Sequence, residues 1–248
     1  MAKTPIALEN LPILDKHHLA LPDEKLFSAG VVIPVDKPPK MTSFGVVKYI
    51  RSLIPVRKVG HAGTLDPLAT GLLILCCGRA TKSVSQIQEL PKTYIAEITL
   101  GASTPSYDRD TEIDNTADWN HLDRKTLDET LKNQFVGQID QVPPMYSALW
   151  KDGKRLYKLA RRGEKVELEP RSVEVMDIQI LSCSLPKLKI KVTCGKGTYI
   201  RSIAYDLGKA CNSLAYLSDL RRTQIGHFSV EDAWVPENFR NWMEPNNG

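Results

Sequence analysis

Three glycines fall within the twelve residues Gly60-His61-Ala62-Gly63-Thr64-Leu65-Asp66-Pro67-Leu68-Ala69-Thr70-Gly71, and an apolar run, Leu72 to Cys77, follows at once. Glycine lets a backbone reach positive φ or approach a ligand closely. A short apolar run bounded by such a loop reads as a buried strand. Within the loop, Pro67 biases Asp66 toward an extended backbone. A carboxylate among apolar neighbours is costly unless it is paired or used. On these residues alone, an Asx-type turn before the proline is the stronger reading of Asp66.

Around this loop the chain shows no internal repeats or low-complexity tracts. Val31 to Val35 is a short apolar run whose Pro34 marks an edge strand or bulge, and Asp36-Lys37-Pro38-Pro39 reads as a turn. Thr42 or Ser43 can cap a helix bearing Val46, Val47, Ile50, Leu53 and Ile54, which Pro55 helps stop. Tyr94, Ala96, Ile98 and Leu100 alternate with Glu97 and Thr99 at the period of a half-buried strand. A helix with Leu127, Leu131 and Phe135 ends at Gly137, and Lys154 to Arg162 reads as a short basic helix closed by Gly163. Strands are expected at Val173 to Ile180 and Leu188 to Cys194. A helix follows through Ile200, Ile203, Ala204, Leu207 and Cys211. Asn212 or Ser213 is expected to cap a last helix carrying Leu214, Leu217 and Leu220. Segregated strands and helices with hairpin-compatible links predict an α+β fold around a mixed sheet.

Several function classes lose their support. There is no P-loop, no dinucleotide fingerprint, no zinc-deaminase pattern and no H-E-x-x-H or G-x-S-x-G motif. The five cysteines are odd in number and lack C-x-x-C spacing, so a metal or disulfide framework is not expected and a reducing cytoplasm is. No signal pattern and no run of about 20 apolar residues suggests a membrane. Net charge is only +4, but Asp36 to Lys82 carries eight Lys or Arg against two acids. Lys151 to Lys165 carries seven against two, whereas Asp108 to Glu129 has eight acids and three bases. Such a layout suits one basic surface facing a phosphate backbone, and solvated helix faces account for it equally well. Arg201 is a second oddity, because a cation in a first helical turn opposes the helix dipole by up to ~1 kcal/mol. A surface arginine pointing away is the stronger reading of that residue alone.

The segment Gly60 to Leu73 resembles the signature of TruB-type tRNA pseudouridine synthases. Further matches occur in the family's order: Val35-Asp36-Lys37-Pro38, Gly78-Arg79-Ala80-Thr81-Lys82, Lys92-Thr93-Tyr94, Pro144-Met145-Tyr146-Ser147-Ala148, Gly195-Lys196-Gly197-Thr198-Tyr199-Ile200-Arg201 and Leu220-Arg221-Arg222. The resemblance covers residues 30–230 as a catalytic domain, with 1–29 as an N-terminal extension and 231–248 as a short tail. Many bacterial members carry a further C-terminal RNA-binding domain, and its lack here implies weaker or more salt-sensitive RNA binding.

What the resemblance implies is specific. The fold is a pseudouridine synthase fold, a mainly antiparallel mixed sheet flanked by helices and loops. The activity is isomerisation of the T-loop uridine, without cofactor or metal, by a cytoplasmic monomer whose partner is the tRNA T-loop and T-stem. Asp66 is the essential carboxylate, Tyr94 stacks on the target base, and Arg201 pairs with the aspartate. Leu220 lines the uracil pocket and His61 supports the rearranged loop. Gly63, Thr64, Tyr199, Lys82, Lys154, Arg155 and Arg162 contact RNA. The competing readings are a tRNA-binding or folding protein without turnover and a glycosidic-bond hydrolase.

Overall fold

A computed structural model of the chain describes residues 6–18, 20, 23–151, 153–164 and 166–244, so parts of the expected extension (1–5, 19, 21, 22) and tail (245–248) lie outside the described residues. The first elements are α1 (Glu24–Ala29), β1 (Val31–Lys37), α2 (Ser43–Leu53), β2 (Val59–His61), β3 (Thr70–Cys77), α3 (Val84–Glu89) and β4 (Lys92–Leu100). Next come β5 (Ala102–Ser103), β6 (Asn115–Thr116), α4 (Arg124–Phe135), β7 (Gly137–Gln141), β8 (Trp150–Lys151), β9 (Lys154–Arg155) and α5 (Leu156–Ala160). The last are β10 (Arg171–Ser184), β11 (Lys187–Cys194), α6 (Ile200–Ala210), β12 (Ala215–Ile225), β13 (Phe228–Ser229) and α7 (Pro236–Met243).

Strand neighbours follow the order β1-β3-β12-β4-β11-β10-β7, with β2 added on β3 and β13 on β12. The sheet is mixed: β3 and β12 run parallel, whereas β1–β3, β2–β3, β7–β10 and β10–β11 are antiparallel. Pro34 sits on β1, at one end of the order, where a strand without a full set of donors is tolerated.

Two compact units divide the chain, one of residues 1–94 with 221–248 and the other of residues 95–220. In the first unit, β3 is apolar throughout because both its faces are covered. Leu73, Leu75 and Cys77 pack with Val46, Val47 and Ile50 of α2 and with Trp234 and Phe239. Leu72, Ile74 and Cys76 pack oppositely, with Ala80, Ile87, Ile225 and Phe228. The segment before residue 30 contributes to these cores through Leu11, Leu14 and Phe27. Thr42 caps α2 by accepting from the Gly45 N–H at 2.9 Å, which leaves the Ser43 hydroxyl for another task.

In the second unit, α4 buries Leu127, Leu131 and Phe135 and is capped by Asp123, which accepts from the Thr126 N–H at 2.7 Å. Helix α6 buries Ile200, Ile203, Ala204 and Leu207. Two expectations fail here. The segment bearing Leu217 and Leu220 is strand β12, not a helix. Its buried positions run 215, 217, 220, 222 and 225, so the alternation slips by one residue at Ser218–Asp219 and again at Thr223–Gln224. Each slip turns a period of two into a spacing of three, which imitates a helical stripe. Lys154 and Arg155 form β9 of a small hairpin, and only Leu156–Ala160 is helical before Gly163.

Gly71 marks a tight backbone approach in the first unit. It adopts φ +101° opposite Arg222, and a Cβ there would stand 2.2 Å from the Arg222 carbonyl oxygen. Gly71→Ala combines left-handed strain with a clash against backbone, and is expected to cost about 3 kcal/mol. Thermal unfolding followed by circular dichroism measures this; a Tm within about 1 °C of wild type would show that the β3–β12 pairing accommodates a side chain.

Candidate active site

The loop Ala62–Ala69 joins β2 to β3, and it is tied down almost residue by residue. Its first bond continues the hairpin, from the Ala62 N–H to the Ile74 carbonyl at 2.9 Å. Arg222, 1% exposed, donates through Nη2 to the Gly63 carbonyl at 3.1 Å, through Nη1 to that of Thr64 at 3.5 Å, and through Nε to that of Leu72 at 2.7 Å. The Ser43 hydroxyl accepts from the Leu65 N–H at 2.9 Å and donates to the Leu65 carbonyl at 3.0 Å. The Pro67 carbonyl accepts from Lys37 Nζ at 3.1 Å and from the Lys40 N–H at 2.9 Å. The Ala69 N–H then closes a turn on the Asp66 carbonyl at 3.1 Å, with Pro67 in the position its fixed φ suits. The half-buried Asp66 side chain therefore rises from a backbone fixed on both sides.

Two buried cations shape the electrostatics. Lys37 is fully buried and also donates to the carbonyls of Met41 at 2.7 Å and Pro38 at 3.1 Å. Burial pushes its pKa down to about 8; the charge of Asp66 works against that shift and the Arg222 guanidinium adds to it. His61 is held below its usual value by burial and then by Arg222, so its neutral form is favoured. Its Nδ1 has no hydrogen-bond partner among the described residues.

The second unit gathers a different set. Gln141 caps α6 from outside the helix, its Oε1 accepting from the Tyr199 N–H at 2.7 Å and its Nε2 donating to the Tyr199 carbonyl at 3.0 Å. Arg201, in the first turn, is 4% exposed, not a surface arginine pointing away. Its Nη1 donates to the carbonyls of Tyr146 at 3.0 Å and Ser106 at 3.2 Å, and its Nε lies 3.6 Å from Asp108 Oδ2. Asp108 is in turn fixed by the Ser106 hydroxyl at 2.6 Å and the Asp110 N–H at 2.9 Å, both donating to Oδ1.

Asp66, Gly63 and Thr64 thus share one loop of the first unit, with His61 at the end of β2 just before it, Tyr94 half-buried on β4 and Lys82 in the short helical turn Gly78–Ser83. Arg201, Tyr199 and Leu220 belong to the second unit, as do Lys154, Arg155 and Arg162 around β9 and α5. Arg155 stacks on Trp150, 4.4 Å from guanidinium carbon to ring centroid. Sequence reasoning gave no role to Lys37, Ser43, Asp108 or Arg222. The one local signal was crowding of cations beside a loop poor in acids. Among the described residues, no group of three or more His, Cys, Asp or Glu could hold a metal ion, and no helix is long and apolar enough to cross a membrane.

Residues 51–200 match the model of the TruB family pseudouridylate synthase N-terminal domain. The chain is 48% identical over 224 residues to tRNA pseudouridine synthase B of Phocaeicola vulgatus, covering 88% of this chain and 95% of that one. It is 48% identical over 219 residues to the protein of the same name from Flavobacterium johnsoniae, covering 86% and 94%. Among solved structures, a Cbf5-Nop10-Gar1 complex contains a chain with 29% identity and a TM-score of 0.69, covering 92% of this chain. The archaeal box H/ACA sRNP Nop10-Cbf5 complex gives 26% identity and a TM-score of 0.66 over 90% of this chain. This chain spans 57–60% of the length of those two solved chains. On the length and level of these matches, the chain belongs to the TruB family of pseudouridylate synthases.

Proposed function

We propose that this chain isomerises a uridine in the T-loop of tRNA to pseudouridine, and that Asp66 is the carboxylate that acts on the nucleotide. The observation that carries the reading is the loop itself. From Gly63 to Pro67 its backbone is held by Arg222, Ser43 and Lys37, which fixes the backbone that carries Asp66 before substrate arrives. Relatives of this chain at 44–48% identity are named tRNA pseudouridine synthase B, which supports the reading.

The reaction breaks the C1′–N1 bond of uridine, turns the uracil and joins C1′ to C5, while a proton is lost from C5 and one is gained at N1. Atoms and electrons balance without an oxidant or reductant. A carboxylate can serve by adding to the ring, by trapping C1′, or by taking a ribose proton. In this reading Tyr94 offers a flat neutral face on which the detached uracil turns, and Leu220 lines the pocket. Arg201 orients the reacting carboxylate. Neutral His61 supports the space left when the base leaves its stack. Gly63, Thr64 and Tyr199 contact the flipped nucleotide. Lys82, Lys154, Arg155 and Arg162 grip the phosphate backbone, with Trp150 as a stacking surface beside Arg155. The enzyme works as a cytoplasmic monomer with tRNA as its partner.

Two experiments test this. Asp66→Asn keeps the shape of the side chain and removes its charge. It is expected to lower the rate of pseudouridine formation in a tRNA transcript by at least about 1,000-fold while tRNA binding stays within a few-fold. Carbodiimide-based primer extension maps the product. A T-loop stop that persists in the mutant, or release of free uracil by wild type, overturns the reading.

Lys37→Met leaves the carbonyls of Pro38, Met41 and Pro67 without their shared donor. It is expected to destabilise the fold by about 3 kcal/mol at neutral pH and to slow turnover. The pH dependence has a definite sign. Folded Lys37 titrates at about 8 and unfolded lysine at 10.5, so between those values the unfolded chain holds more protons. The stability of wild type relative to Lys37→Met therefore rises with pH across that window. Urea midpoints of the two proteins at several pH values measure it, and a difference that stays flat would exclude a buried, depressed Lys37.

A further inference from the structure

We infer that Tyr107 and Tyr205 form a clamp that positions the Arg201–Asp108 pair, making both tyrosines positioning residues for the reaction. The inference rests on the role given to Arg201 above, and it starts from a backbone oddity in the second unit. Tyr107 has φ +62°, a left-handed conformation that a bulky side chain seldom adopts. Such a residue persists only where its surroundings over-determine it.

Three contacts do so. The Tyr107 N–H donates to the Thr104 carbonyl at 3.1 Å, and its own carbonyl accepts from the Leu217 N–H of β12 at 2.9 Å. Its ring lies on that of Tyr205 with centroids 3.8 Å apart and planes within 13° of parallel. Burial, then the neighbouring Tyr205 and Asp206, push the Tyr107 phenol up to about 12, so the Tyr107 ring is neutral at neutral pH.

The placement of these contacts gives them meaning. Tyr205 lies on α6 four residues after Arg201, hence one turn along the same helix face. The residues flanking Tyr107 both engage Arg201: the Ser106 carbonyl accepts from Nη1 at 3.2 Å, and Asp108 Oδ2 stands 3.6 Å from Nε. In an extended chain, residues 106 and 108 would face the helix and residue 107 would face away. The left-handed turn brings the Tyr107 ring round to the helix as well. The loop is thus docked on α6 at two points one turn apart, the first an ion pair and the second an aromatic stack. The Lys209 ammonium, a further turn along, lies 5.4 Å from the Tyr205 ring centroid and continues the row. Without the stack, the backbone bonds of Tyr107 to Thr104 and Leu217 remain, but the second point of docking on α6 is lost and the Arg201–Asp108 geometry loosens.

The test uses the full chain. Tyr107→Gly keeps the left-handed backbone accessible and removes the ring, and Tyr205→Ala removes the other half of the stack. Each is expected to lower kcat ~10- to 100-fold with KM for tRNA within about twofold of wild type. The double variant should fall no further than either single one. Tyr107→Phe and Tyr205→Phe, which restore the ring, should restore most of kcat. A second readout does not depend on the reaction: exchange of the Arg201 Nε–H with solvent, followed by 15N NMR, should quicken at least about tenfold in the two truncated variants and not in the phenylalanine ones. Unchanged exchange, or a loss confined to KM or to the folded fraction seen by circular dichroism, overturns the clamp. An inactive wild type whose exchange follows the expected pattern would sink the functional reading and leave the clamp standing.

Discussion

A single guanidinium governs the first unit. Arg222 lies on β12, is almost wholly buried, and hydrogen-bonds the carbonyls of Gly63, Thr64 and Leu72. Burying a cation is costly unless its donors are used, and three carbonyls, two in the loop and one on β3, are how that cost is met. The bonds run both ways in consequence. The loop keeps Arg222 satisfied, and Arg222 keeps the loop in one conformation. Lys37 repeats the device from β1 with the carbonyls of Pro38, Met41 and Pro67. Between them the two cations hold backbone oxygens and leave the Asp66 side chain to rise from a rigid base. Rigidity here comes from charged donors on strands, which vary less in position than groups on loops.

The second unit solves a related problem differently. Arg201 begins a helix, where a positive charge meets the positive end of the dipole. Three outside groups, the Asp108 carboxylate and the carbonyls of Ser106 and Tyr146, surround it. Their combined negative potential offsets the dipole and desolvation. Gln141, on β7, meanwhile pins both backbone groups of Tyr199, the residue before α6.

Much of this was readable beforehand, and the reasons differ by residue. The glycine-rich loop and the strand after it stood out because glycine spacing and an unbroken apolar run are local signals. Alternation placed β4, and stripes of period 3.6 placed α2, α4 and α6. Strand β12 was misread because two slips in its register turn alternation into spacings of three. Arg222 could not be told from Arg221 by any local signal. Arg221 has a side chain 38% exposed and makes a two-pronged pair with Asp36 at 2.7 and 3.0 Å, while its neighbour is sealed in the core. Which of two adjacent arginines is buried depends on the face a strand presents, and that is decided by a partner strand some 150 residues earlier. Asp108 hid among acids for the same reason: its partner is distant in sequence and its neighbours look alike.

The first unit is also discontinuous, and this bears on how the chain is made. A nascent polypeptide that has emerged only through Tyr94 already displays the Asp66 loop, yet it lacks Arg222, Trp234 and Phe239. Residues 95–220 can mature as a unit during synthesis, in the order in which they leave the ribosome. The loop needs more, because Arg222 on β12, which holds the Gly63 carbonyl, is made 159 residues after it. Until then the carbonyls of Gly63 and Thr64 lack that donor, while Ser43 and Lys37, already made, can bond Leu65 and Pro67. The loop is therefore completed only once β12 has been made, and a chain truncated short of β12 would keep the hold of Ser43 and Lys37 on Leu65 and Pro67 but lose that of Arg222 on Gly63 and Thr64.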